Sequence, residues 1–440
     1  MSTKANAHLA LGLDIGTTTV SAAVADLDNK CLTESFNVAG GRFVDTGLPN
    51  AKEQDPAEIL EKIESLLDTV LSKYPSICAI GFTGQMHGIV YCDKDGNAVS
   101  NLATWQDGRA DSTVCGEIFA LTGHKVATGY GLATHYYNVK NRLVPKNAAS
   151  VCTVMDYAAM KICGLTRPVM HTSNAHSFGF FDFETNDFDK ESLKKLGIDT
   201  NLLPTVTAEN AVIGECGCIP VSVAIGDNQA SFFGAVKDEA GSVLANYGTG
   251  SQISCVSDAP KQIGKTECRP YIDGKYLLCG SALCGGRAYA ILEKFFREFL
   301  GGESCYDRLG AIAENAFGKA EPLDVCTKFS GERGDPDIRG SILGISEENF
   351  TPAALTLGVL YGMARELEEM YRELGLKHET LVTSGNVARK NPIFKEILAD
   401  VFGMEVNLTS GKEEAAFGTA LFALLASGKA NSTSEVKECI

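Results

Sequence analysis

The chain has 440 residues, of which 45% are hydrophobic and 21% charged, and its formal net charge is −16. A chain of this length can bury more than one core, so we expect a soluble globular protein with two domains. The acidic balance, without any basic stripe, argues against a nucleic-acid partner. No apolar run approaches the roughly 18 to 20 residues of a membrane span. Residues 1–8 form a short polar stretch, so we expect a cytoplasmic protein with no membrane partner.

Cysteine is frequent but scattered. The 15 cysteines fall mostly inside apolar strand or helix patterns, where a reduced thiol packs as a small hydrophobe. This usage is typical of a reducing compartment. The spacing in Cys216-Gly217-Cys218 does not match the two-residue separation of a zinc knuckle, so we expect no structural metal.

The first half of the chain opens with strands. Residues 9–26 are typical of strand, glycine turn and strand, and 31–39 of a third strand, which predicts an antiparallel meander. Asp55-Pro56 predicts a helix start, because Asp suits the cap and Pro the first turn, and apolar residues then recur at helical spacing. Residues 77–83 predict a buried strand. Its carboxyl end leads into Gly84-Gln85-Met86-His87-Gly88, at the position where open α/β sheets bind ligands.

The second half repeats this order. A strand at 221–226 ends at Asp227, a short helix follows, and 242–247 with 251–256 form a hairpin. Further helices are predicted at 288–300, 352–374, 392–402 and 413–426, and further strands at 381–384 and 404–408. No low-complexity linker separates the halves. The repeated order alone therefore sets the predicted domains, 1–235 and 236–440.

Two similar turns stand at matching places in the two halves, Asp14-Ile15-Gly16-Thr17-Thr18 and Asn246-Tyr247-Gly248-Thr249-Gly250. Each lies between two strands, and its small residues can turn backbone N–H groups toward an anion. Either turn alone is compatible with ordinary turn chemistry. Together they predict a polyphosphate ligand, ATP, with Thr17, Thr18, Gly248 and Thr249 on its phosphates and Asp14 on Mg²⁺ through water.

Five segments in one order carry a resemblance to a known family. They are LGLDIGTTTV (11–20), TGQMHG (83–88), TWQDGR (104–109), IGDNQASFFGAV (225–236) and NYGTGSQ (246–252). This series is similar to the FGGY family of carbohydrate kinases over nearly the whole chain. The resemblance implies an α/β fold of two actin-like, ribonuclease-H-type domains, an N-terminal sugar-binding domain (1–235) and a C-terminal nucleotide-binding domain (236–440), with ATP and sugar in a cleft between them.

Asp227 is the candidate catalytic residue. A sugar kinase must orient the attacking hydroxyl and remove its proton, and a carboxylate within hydrogen-bond reach does both. The alternative interpretation is that Asp227 only caps the helix that follows it. The resemblance favours the base, because Asp227 matches the family's Gly-Asp position.

The resemblance also implies a sugar site. It places Gln85, Met86 and His87 there, and His supplies both a donor and an acceptor to a polyol. Trp105, the only tryptophan, is expected to form an apolar wall against the sugar's carbon face. We expect Asp107 to accept hydrogen bonds from sugar hydroxyls and Asn228 to contact the substrate.

The adenosine site is expected in the second half. Gly285 opens a predicted helix, and Gly385 and Asn391 lie between a strand and a helix where family members carry a glycine-rich adenosine segment. Here the sequence departs from the family, because Ser384-Gly385-Asn386 replaces consecutive glycines. Asn391 either contacts the base or caps the helix that begins at Pro392.

Three stretches are more similar to sedoheptulokinases than to xylulokinases: 104–109, VATGYGLAT (126–134) and 155–182. The expected reaction is therefore phosphorylation of the terminal primary hydroxyl of a ketose, first sedoheptulose, with xylulose as the alternative. An actin-like ATPase or a sugar sensor without kinase activity is the more distant alternative. A homodimer is compatible with the sequence, which does not fix the oligomeric state.

Overall fold

A computed structural model describes residues 8–261, 263–264, 266–332, 335, 337–409, 411 and 413–440. The chain divides into two compact units. The first unit consists of Met1–Lys237, Arg269–Lys275 and Gly411–Ile440, and the second of Asp238–Cys268 and Tyr276–Ser410.

The strands of the described residues are β1 Leu9–Ile15, β2 Thr19–Asp26, β3 Cys31–Ala39, β4 Phe43–Val44, β5 Glu53–Gln54, β6 Ile77–Gly84, β7 Val90–Cys92, β8 Leu102–Ala103, β9 Ser150–Cys152, β10 Val169–His171, β11 Phe181–Asp182, β12 Asp187–Phe188, β13 Thr205–Thr207, β14 Val212–Cys216, β15 Ile219–Ser222, β16 Ser242–Tyr247, β17 Ser251–Ser257, β18 Glu267–Pro270, β19 Tyr276–Ala282, β20 Asp324–Cys326, β21 Ser341–Leu343, β22 Thr380–Ser384 and β23 Glu405–Leu408. The α-helices are α1 Pro56–Lys73, α2 Ser112–Thr122, α3 Gly131–Lys140, α4 Val154–Ile162, α5 Thr172–Phe178, α6 Lys190–Lys195, α7 Asp227–Ala235, α8 Gly286–Phe299, α9 Tyr306–Ala316, α10 Pro352–Glu373, α11 Asn386–Lys390, α12 Pro392–Phe402, α13 Glu414–Ala426 and α14 Thr433–Lys437.

The core of the first unit is a six-stranded sheet in the order β14-β15-β6-β1-β2-β3. β1, β2 and β3 form the predicted antiparallel meander, and β6 lies parallel to β1 on its other side. β15 pairs parallel to β6. The strands β1, β6 and β15 therefore point their carboxyl ends to the same edge of the sheet, which is the edge where such sheets bind ligands.

Helix α13 covers this sheet at very short range, and glycines make the approach possible. A Cβ atom on Gly12 of β1 would lie 2.0 Å from the carbonyl oxygen of Ala416, and one on Gly418 would lie 2.0 Å from that of Ala230 in α7. No side chain fits at such distances. Helix α13 therefore packs backbone to backbone against both β1 and the helix that begins at Asp227.

The second unit repeats the same sheet order, β18-β19-β17-β16-β22-β23. β16 pairs antiparallel to β17 and parallel to β22, and β23 extends the parallel part. If the additional edge strands β14 and β18 are set aside, both sheets have the order third, second, first, fourth, fifth strand. This repeated order confirms the predicted actin-like, ribonuclease-H-type α/β fold.

Several predicted element bounds are confirmed by the structure. Asp55 caps α1 by accepting a hydrogen bond from the backbone N–H of Ala57, with Pro56 in the first turn. β16 and α12 have the predicted bounds. One strand is shorter than predicted: β15 ends at Ser222, and 223–226 run on outside the ladder to α7.

The predicted and observed divisions of the chain differ at the C-terminus. The first unit extends to Lys237, close to the predicted boundary at 235, but residues 411–440 also belong to it. The reason is that α13 packs against β1, β6 and α7, a return of the chain that no local pattern reveals. Among the described helices, none combines the length and the apolar character that crossing a membrane requires.

Candidate active site

Asp14 and Asp227 lie at the ligand-binding edge of the first sheet. Asp14 is the next to last residue of β1 and pairs with Thr83 of β6. The Thr83 hydroxyl donates a hydrogen bond of 2.7 Å to the carbonyl oxygen of Ile225, two residues before Asp227. Three neighbouring chain segments therefore end side by side. The two carboxylates, far apart in sequence, meet at this edge.

The electrostatics of this edge are dominated by negative charge. Burial, with the nearby Asp227 and Glu413 carboxylates, raises the pKa of Asp14 to about 7. Burial also raises the pKa of Asp227 to about 6, against the opposing effect of Arg269 and of a hydrogen bond from the Asn228 backbone. Such raised values are common where carboxylates carry out acid and base chemistry.

Asp227 does not cap helix α7. The N-cap position belongs to Gly226, and Asp227 is the first helical residue, whose carboxylate accepts a hydrogen bond from the backbone N–H of Asn228. The alternative interpretation of Asp227 as an N-cap is therefore wrong. Its place in the first turn of a helix still favours the ionised form, because the helix dipole is positive there.

Arg269 is a member of this site that the sequence analysis missed. Its side chain is 5% exposed, and its Nη1 donates a hydrogen bond of 3.2 Å to Asn228 Oδ1. The next residue, Pro270, accepts a hydrogen bond of 2.9 Å from Gln229 Nε2 through its carbonyl oxygen. Arg269 belongs to no recognisable motif, and only the return of residues 269–275 to the first unit places it here.

Glu413 was also missed. Its Oε1 accepts a hydrogen bond of 3.1 Å from Asn37 Nδ2, and Asn37 in turn accepts one from Ser21, the residue paired with Asp14 on β2. Acidic residues before a helix are commonly explained by the helix dipole alone. The sequence therefore gave no reason to connect Glu413 with Asp14.

Gln85 is a structural member of the site. It is 4% exposed, its Oε1 accepts a hydrogen bond of 3.1 Å from the Thr17 hydroxyl, and its Nε2 donates one of 2.9 Å to Gln54 Oε1. Gln54 Nε2 donates to the Thr17 carbonyl oxygen. The prediction that Gln85 contacts the sugar conflicts with this placement. Gln85 instead holds the first turn in position.

Trp105 is 47% exposed, and its indole Nε1 donates a hydrogen bond of 3.0 Å to the Thr17 hydroxyl. The structure thus joins the predicted sugar wall to the predicted phosphate turn. Thr18, the next residue of that turn, is exposed. Met86 is buried, with its sulfur and methyl group packed against Gly226 just before Asp227.

Asp107 lies inside the protein, with no exposed surface. Arg109 donates to both of its oxygens, from Nε to Oδ1 and from Nη2 to Oδ2, each over 2.8 Å. Oδ2 also accepts from the backbone N–H of Lys52. The prediction that Asp107 accepts hydrogen bonds from sugar hydroxyls conflicts with this placement, because both oxygens are engaged by the protein. Glu53 forms a second ion pair with Arg109.

His87 is partly exposed, with a backbone φ of 76° that non-glycine residues rarely adopt. Its Nδ1 lies 2.7 Å from the carbonyl oxygen of Ser177. Because a carbonyl oxygen only accepts, Nδ1 carries the proton. In the neutral ring Nε2 is then the acceptor nitrogen.

The second unit contains a separate cavity of about 920 Å³. The predicted phosphate residues Gly248 and Thr249 line it together with Asn391, and Gly248 and Thr249 are exposed. Its remaining lining comes from β16, α8, α9, α11 and α12 and the residues beside them: Tyr247, Gly286, Arg287, Tyr289, Ala290, Ser304, Tyr306, Asp307, Gly310, Ala311, Glu314, Asn386, Val387, Lys390, Pro392 and Ile393.

Tyr247 OH is a buried polar atom of this cavity with no hydrogen-bond partner in the part of the chain that the structure describes. Tyr289 and Asn391 lie side by side in the same cavity, and the Asn391 side chain opposes the rise that burial causes in the pKa of Tyr289. Asn391 stands at the N-cap position of α12, but its side chain makes no capping hydrogen bond. Buried polar groups are normally paired. Polar side chains that line a cavity of about 920 Å³ suit a polar ligand.

Glycines bring the walls of this cavity together. A Cβ atom on Gly385 would lie 2.2 Å from the carbonyl oxygen of Tyr247, and one on Gly285 would lie 2.3 Å from that of Gly250. Gly385 also has a φ of 99°. Gly385 therefore lets the segment 384–386 lie directly against the backbone of Tyr247. Gly285 and Gly385 themselves are not among the residues that line the cavity.

Asp14 is the residue that best fits a magnesium ion. Among the residues that the structure describes, no three His, Cys, Asp or Glu side chains are arranged to hold a metal. Mg²⁺ does not need such a set, because it retains several waters and binds one or two carboxylates along with substrate phosphates. The raised pKa of Asp14, caused by burial and by Asp227 and Glu413, marks a place where a cation relieves repulsion.

Comparison with known proteins identifies the family. The model of the N-terminal domain of the FGGY family of carbohydrate kinases matches residues 9–244, and that of the C-terminal domain matches 243–427. A curated relative, sedoheptulokinase of Mus musculus, is 28% identical over 474 residues, which cover 96% of this chain and 98% of the mouse protein.

Solved structures show the same fold. Gluconate kinase from Lactobacillus acidophilus has a TM-score of 0.86 at 20% identity and covers 98% of this chain and 92% of its own. Ligand-bound xylulose kinase from the same organism has a TM-score of 0.85 at 21% identity, with the same coverage of both chains. Since the two family models together match 9–427, the chain belongs to the FGGY family of carbohydrate kinases, two-domain enzymes of the actin-like fold that use ATP with Mg²⁺.

Proposed function

We propose that this enzyme transfers the γ-phosphoryl group of ATP to the terminal primary hydroxyl of a ketose, and that the ketose is sedoheptulose, giving sedoheptulose 7-phosphate. One observation carries the proposal. Asp227 begins helix α7 beside Asp14, with its pKa raised to about 6 mainly by burial. A carboxylate with that pKa is ionised at neutral pH and still basic enough to accept a hydroxyl proton.

In this proposal Asp227 orients the attacking hydroxyl and takes its proton. Asn228 and His87 form hydrogen bonds to other hydroxyls of the sugar, and Trp105 covers its carbon chain. Met86 packs against Gly226, the residue before the proposed base. Gln85 and Asp107 act indirectly, since hydrogen bonds inside the protein already engage them. They hold Thr17 and the loop around Trp105 in place.

The nucleotide is proposed to bind in the cavity of the second unit. In this proposal the N-terminal family domain binds the sugar and the C-terminal family domain binds the nucleotide. Asn391 and the backbone near Gly285 and Gly385 hold adenosine, and Gly248 and Thr249 bind phosphate, as Thr17 and Thr18 do in the first turn. Asp14 holds Mg²⁺, which when bound neutralises charge on the phosphate oxygens.

Sedoheptulose is favoured over xylulose by sequence rather than by geometry. The mouse relative that carries the name sedoheptulokinase is matched over nearly its whole length, whereas the likeness to xylulose kinase structures shows the fold. Xylulose remains the second candidate. The free state of the 15 cysteines supports a reducing, cytoplasmic location.

The test is an ADP-release assay with purified protein, ATP and Mg²⁺ against sedoheptulose, xylulose, ribulose, gluconate and glycerol. We expect the highest kcat/KM with sedoheptulose. Preference for xylulose by tenfold or more would replace the substrate and keep the reaction. Absence of turnover stimulated by any of these compounds would overturn the proposed reaction itself.

A further inference from the structure

We propose that the segment Gly129-Tyr130-Gly131 is part of the sugar site and that Tyr130 is a positioning residue for His87. The proposal rests on the proposed function, in which His87 and Trp105 contact the sugar. The segment lies within 126–134, one of the three stretches that separate this sequence from xylulokinases, and none of its residues has a role in the mechanism above.

The ring of Tyr130 stacks on the imidazole of His87. Their centroids are 4.6 Å apart and their planes differ by 10°. Tyr130 is the N-cap residue of α3, and its backbone N–H donates a hydrogen bond of 3.1 Å to the carbonyl oxygen of Ala127. The aromatic face is therefore presented from a turn and helix start that are themselves hydrogen-bonded.

The two glycines explain how Tyr130 reaches this position. Gly129 has a φ of 89°, and a Cβ atom there would lie 2.0 Å from the carbonyl oxygen of Trp105. A Cβ atom on Gly131 would lie 2.1 Å from the ring of Phe178 and 2.8 Å from the carbonyl oxygen of His87. Since only glycine fits at such approaches, the segment lies directly against the backbones of two predicted sugar residues.

His87 is thereby fixed on two sides. The Nδ1–H group of His87 donates a hydrogen bond of 2.7 Å to the carbonyl oxygen of Ser177. The ring of Tyr130 covers one face of the imidazole. The hydrogen bond selects the tautomer and the stacking opposes rotation of the ring away from it. A preoriented imidazole binds a hydroxyl without first losing rotational freedom, so removal of the stacking ring should weaken sugar binding more than it slows the chemical step.

The test compares Tyr130→Phe, which keeps the aromatic face, with Tyr130→Leu, which removes it. Tyr137→Leu, on the same helix and also partly buried, is the matched control for loss of an aromatic ring. With the ketose that the enzyme turns over best, we expect Tyr130→Leu to raise the sugar KM about tenfold, in line with the strength of aromatic pairs. The KM for ATP should stay within twofold of the wild-type value in all three variants. The sugar KM of Tyr130→Phe and of Tyr137→Leu should also stay within twofold of wild type.

A second readout does not depend on turnover. The chain has seven histidines, so the imidazole nitrogens of ¹⁵N-histidine-labelled protein can be resolved by NMR, with His87→Gln used only to assign the His87 signals. Wild type and Tyr130→Phe should show one tautomer with the proton on Nδ1. Tyr130→Leu should show averaging between tautomers or a second set of His87 signals.

The outcomes separate this inference from the proposed function. An unchanged sugar KM and an unchanged His87 spectrum in folded Tyr130→Leu would overturn the positioning role, even if the kinase is active. A shifted spectrum with an unchanged KM would overturn the link to sugar binding. If wild type phosphorylates none of the sugars, the proposed function fails, and the His87 spectrum then decides alone whether Tyr130 positions the ring.

Discussion

Arg269 donates a hydrogen bond from Nη1 to Asn228 Oδ1 over 3.2 Å, and so places a buried guanidinium beside the first turn of α7. The residues after it reinforce the contact, since the ring of Tyr271 packs edge-on against Phe232 at 5.7 Å between centroids. A short segment from the second half of the sequence thus supplies positive charge to a site with three carboxylates. The positive charge of Arg269 should therefore influence the activity of variants at this site.

Replacement of Asp227 by Asn should remove the proposed base while keeping its shape. We expect kcat to fall by about 10²- to 10⁴-fold, the usual range for loss of a general base. The dissociation constant of ADP, measured by calorimetry, should change little because the cavity proposed for the nucleotide lies in the second unit. Asp111→Asn is the matched control, since it changes a carboxylate at the start of α2 where Asn also caps. Near-normal kcat in Asp227→Asn would show that another group takes the proton.

Replacement of Arg269 by Gln should change the pH dependence of the reaction. Burial raises the pKa of Asp227 to about 6, and Arg269 opposes that rise. Activity should therefore fall below about pH 6 in wild type. Without the opposing charge, the acid limb of kcat/KM should move to higher pH by about one unit.

Two variants control this experiment. Arg269→Lys keeps the positive charge and should leave the acid limb of kcat/KM at nearly the wild-type pH. Lys275→Gln removes a positive charge from the other end of the segment 269–275 and should also leave the acid limb unchanged. An acid limb at the same pH in Arg269→Gln and wild type would show that the guanidinium acts on Asn228 alone. Equal shifts in all three variants would point to disturbance of the segment.

The folded protein should become more stable as pH falls from 8 to about 6.5 in the presence of EDTA. Burial raises the pKa of Asp156 to about 7, as burial and nearby carboxylates do for Asp14, against an ordinary value of 3.8. Because the folded state takes up these protons at higher pH than the unfolded chain, protonation adds stability as pH falls, and that stability is lost as pH rises through 7. Below pH 6.5 the effect is opposed, since burial lowers the pKa of His135 and His171 to about 4.

Asp156→Asn isolates one of these contributions. Asp156 Oδ1 and Asn174 Oδ1 are buried acceptors with no donor among the described residues, so a neutral side chain that carries donors suits the place. The free energy of unfolding, from urea titrations at pH 6.5, 7.2 and 8, should depend less on pH in this variant, by up to about 1.4 kcal/mol per pH unit. A pH slope equal to that of wild type would mean that Asp156 is ionised throughout.

Arg109→Met should destabilise the fold strongly. It leaves the carboxylates of Asp107 and Glu53 buried without their shared partner. Breaking such a buried pair costs about 3 to 5 kcal/mol. Chemical denaturation should show this loss, whereas Arg42→Met, which removes an arginine paired at the surface with Glu58, should change the unfolding free energy little. If Arg109→Met is nearly as stable as wild type, the network is not what holds the Trp105 loop.

Asn391→Ala should weaken nucleotide binding. Its side chain is buried and lines the cavity beside Tyr289. Loss of one hydrogen bond to adenosine should raise the dissociation constant of ADP about tenfold. Asn315→Ala, on the exposed face of α9, is the control. Equal ADP affinity in the two variants would place the base elsewhere.

The fold class and the family could be predicted from the amino-acid sequence. Periodicity and turn residues located the paired sheets and helices, and five ordered motifs indicated the family, because both depend on residues close together in the chain. The same motifs led to the predicted site residues Asp14, Thr17, His87, Trp105 and Asp227, which all lie in the first unit.

Which of the predicted side chains face outward, and what surrounds each of them, depends on contacts between distant parts of the chain. Gln85 and Asp107 stand within motifs, yet hydrogen bonds from Thr17 and Arg109 engage them inside the protein. Arg269 and Glu413 stand outside every motif, yet they act on Asp14 or Asp227. Such contacts join residues up to hundreds of positions apart, and local patterns carry no information about them. They exist because α13 and the segment 269–275 return to the first sheet, where glycines let the backbones meet.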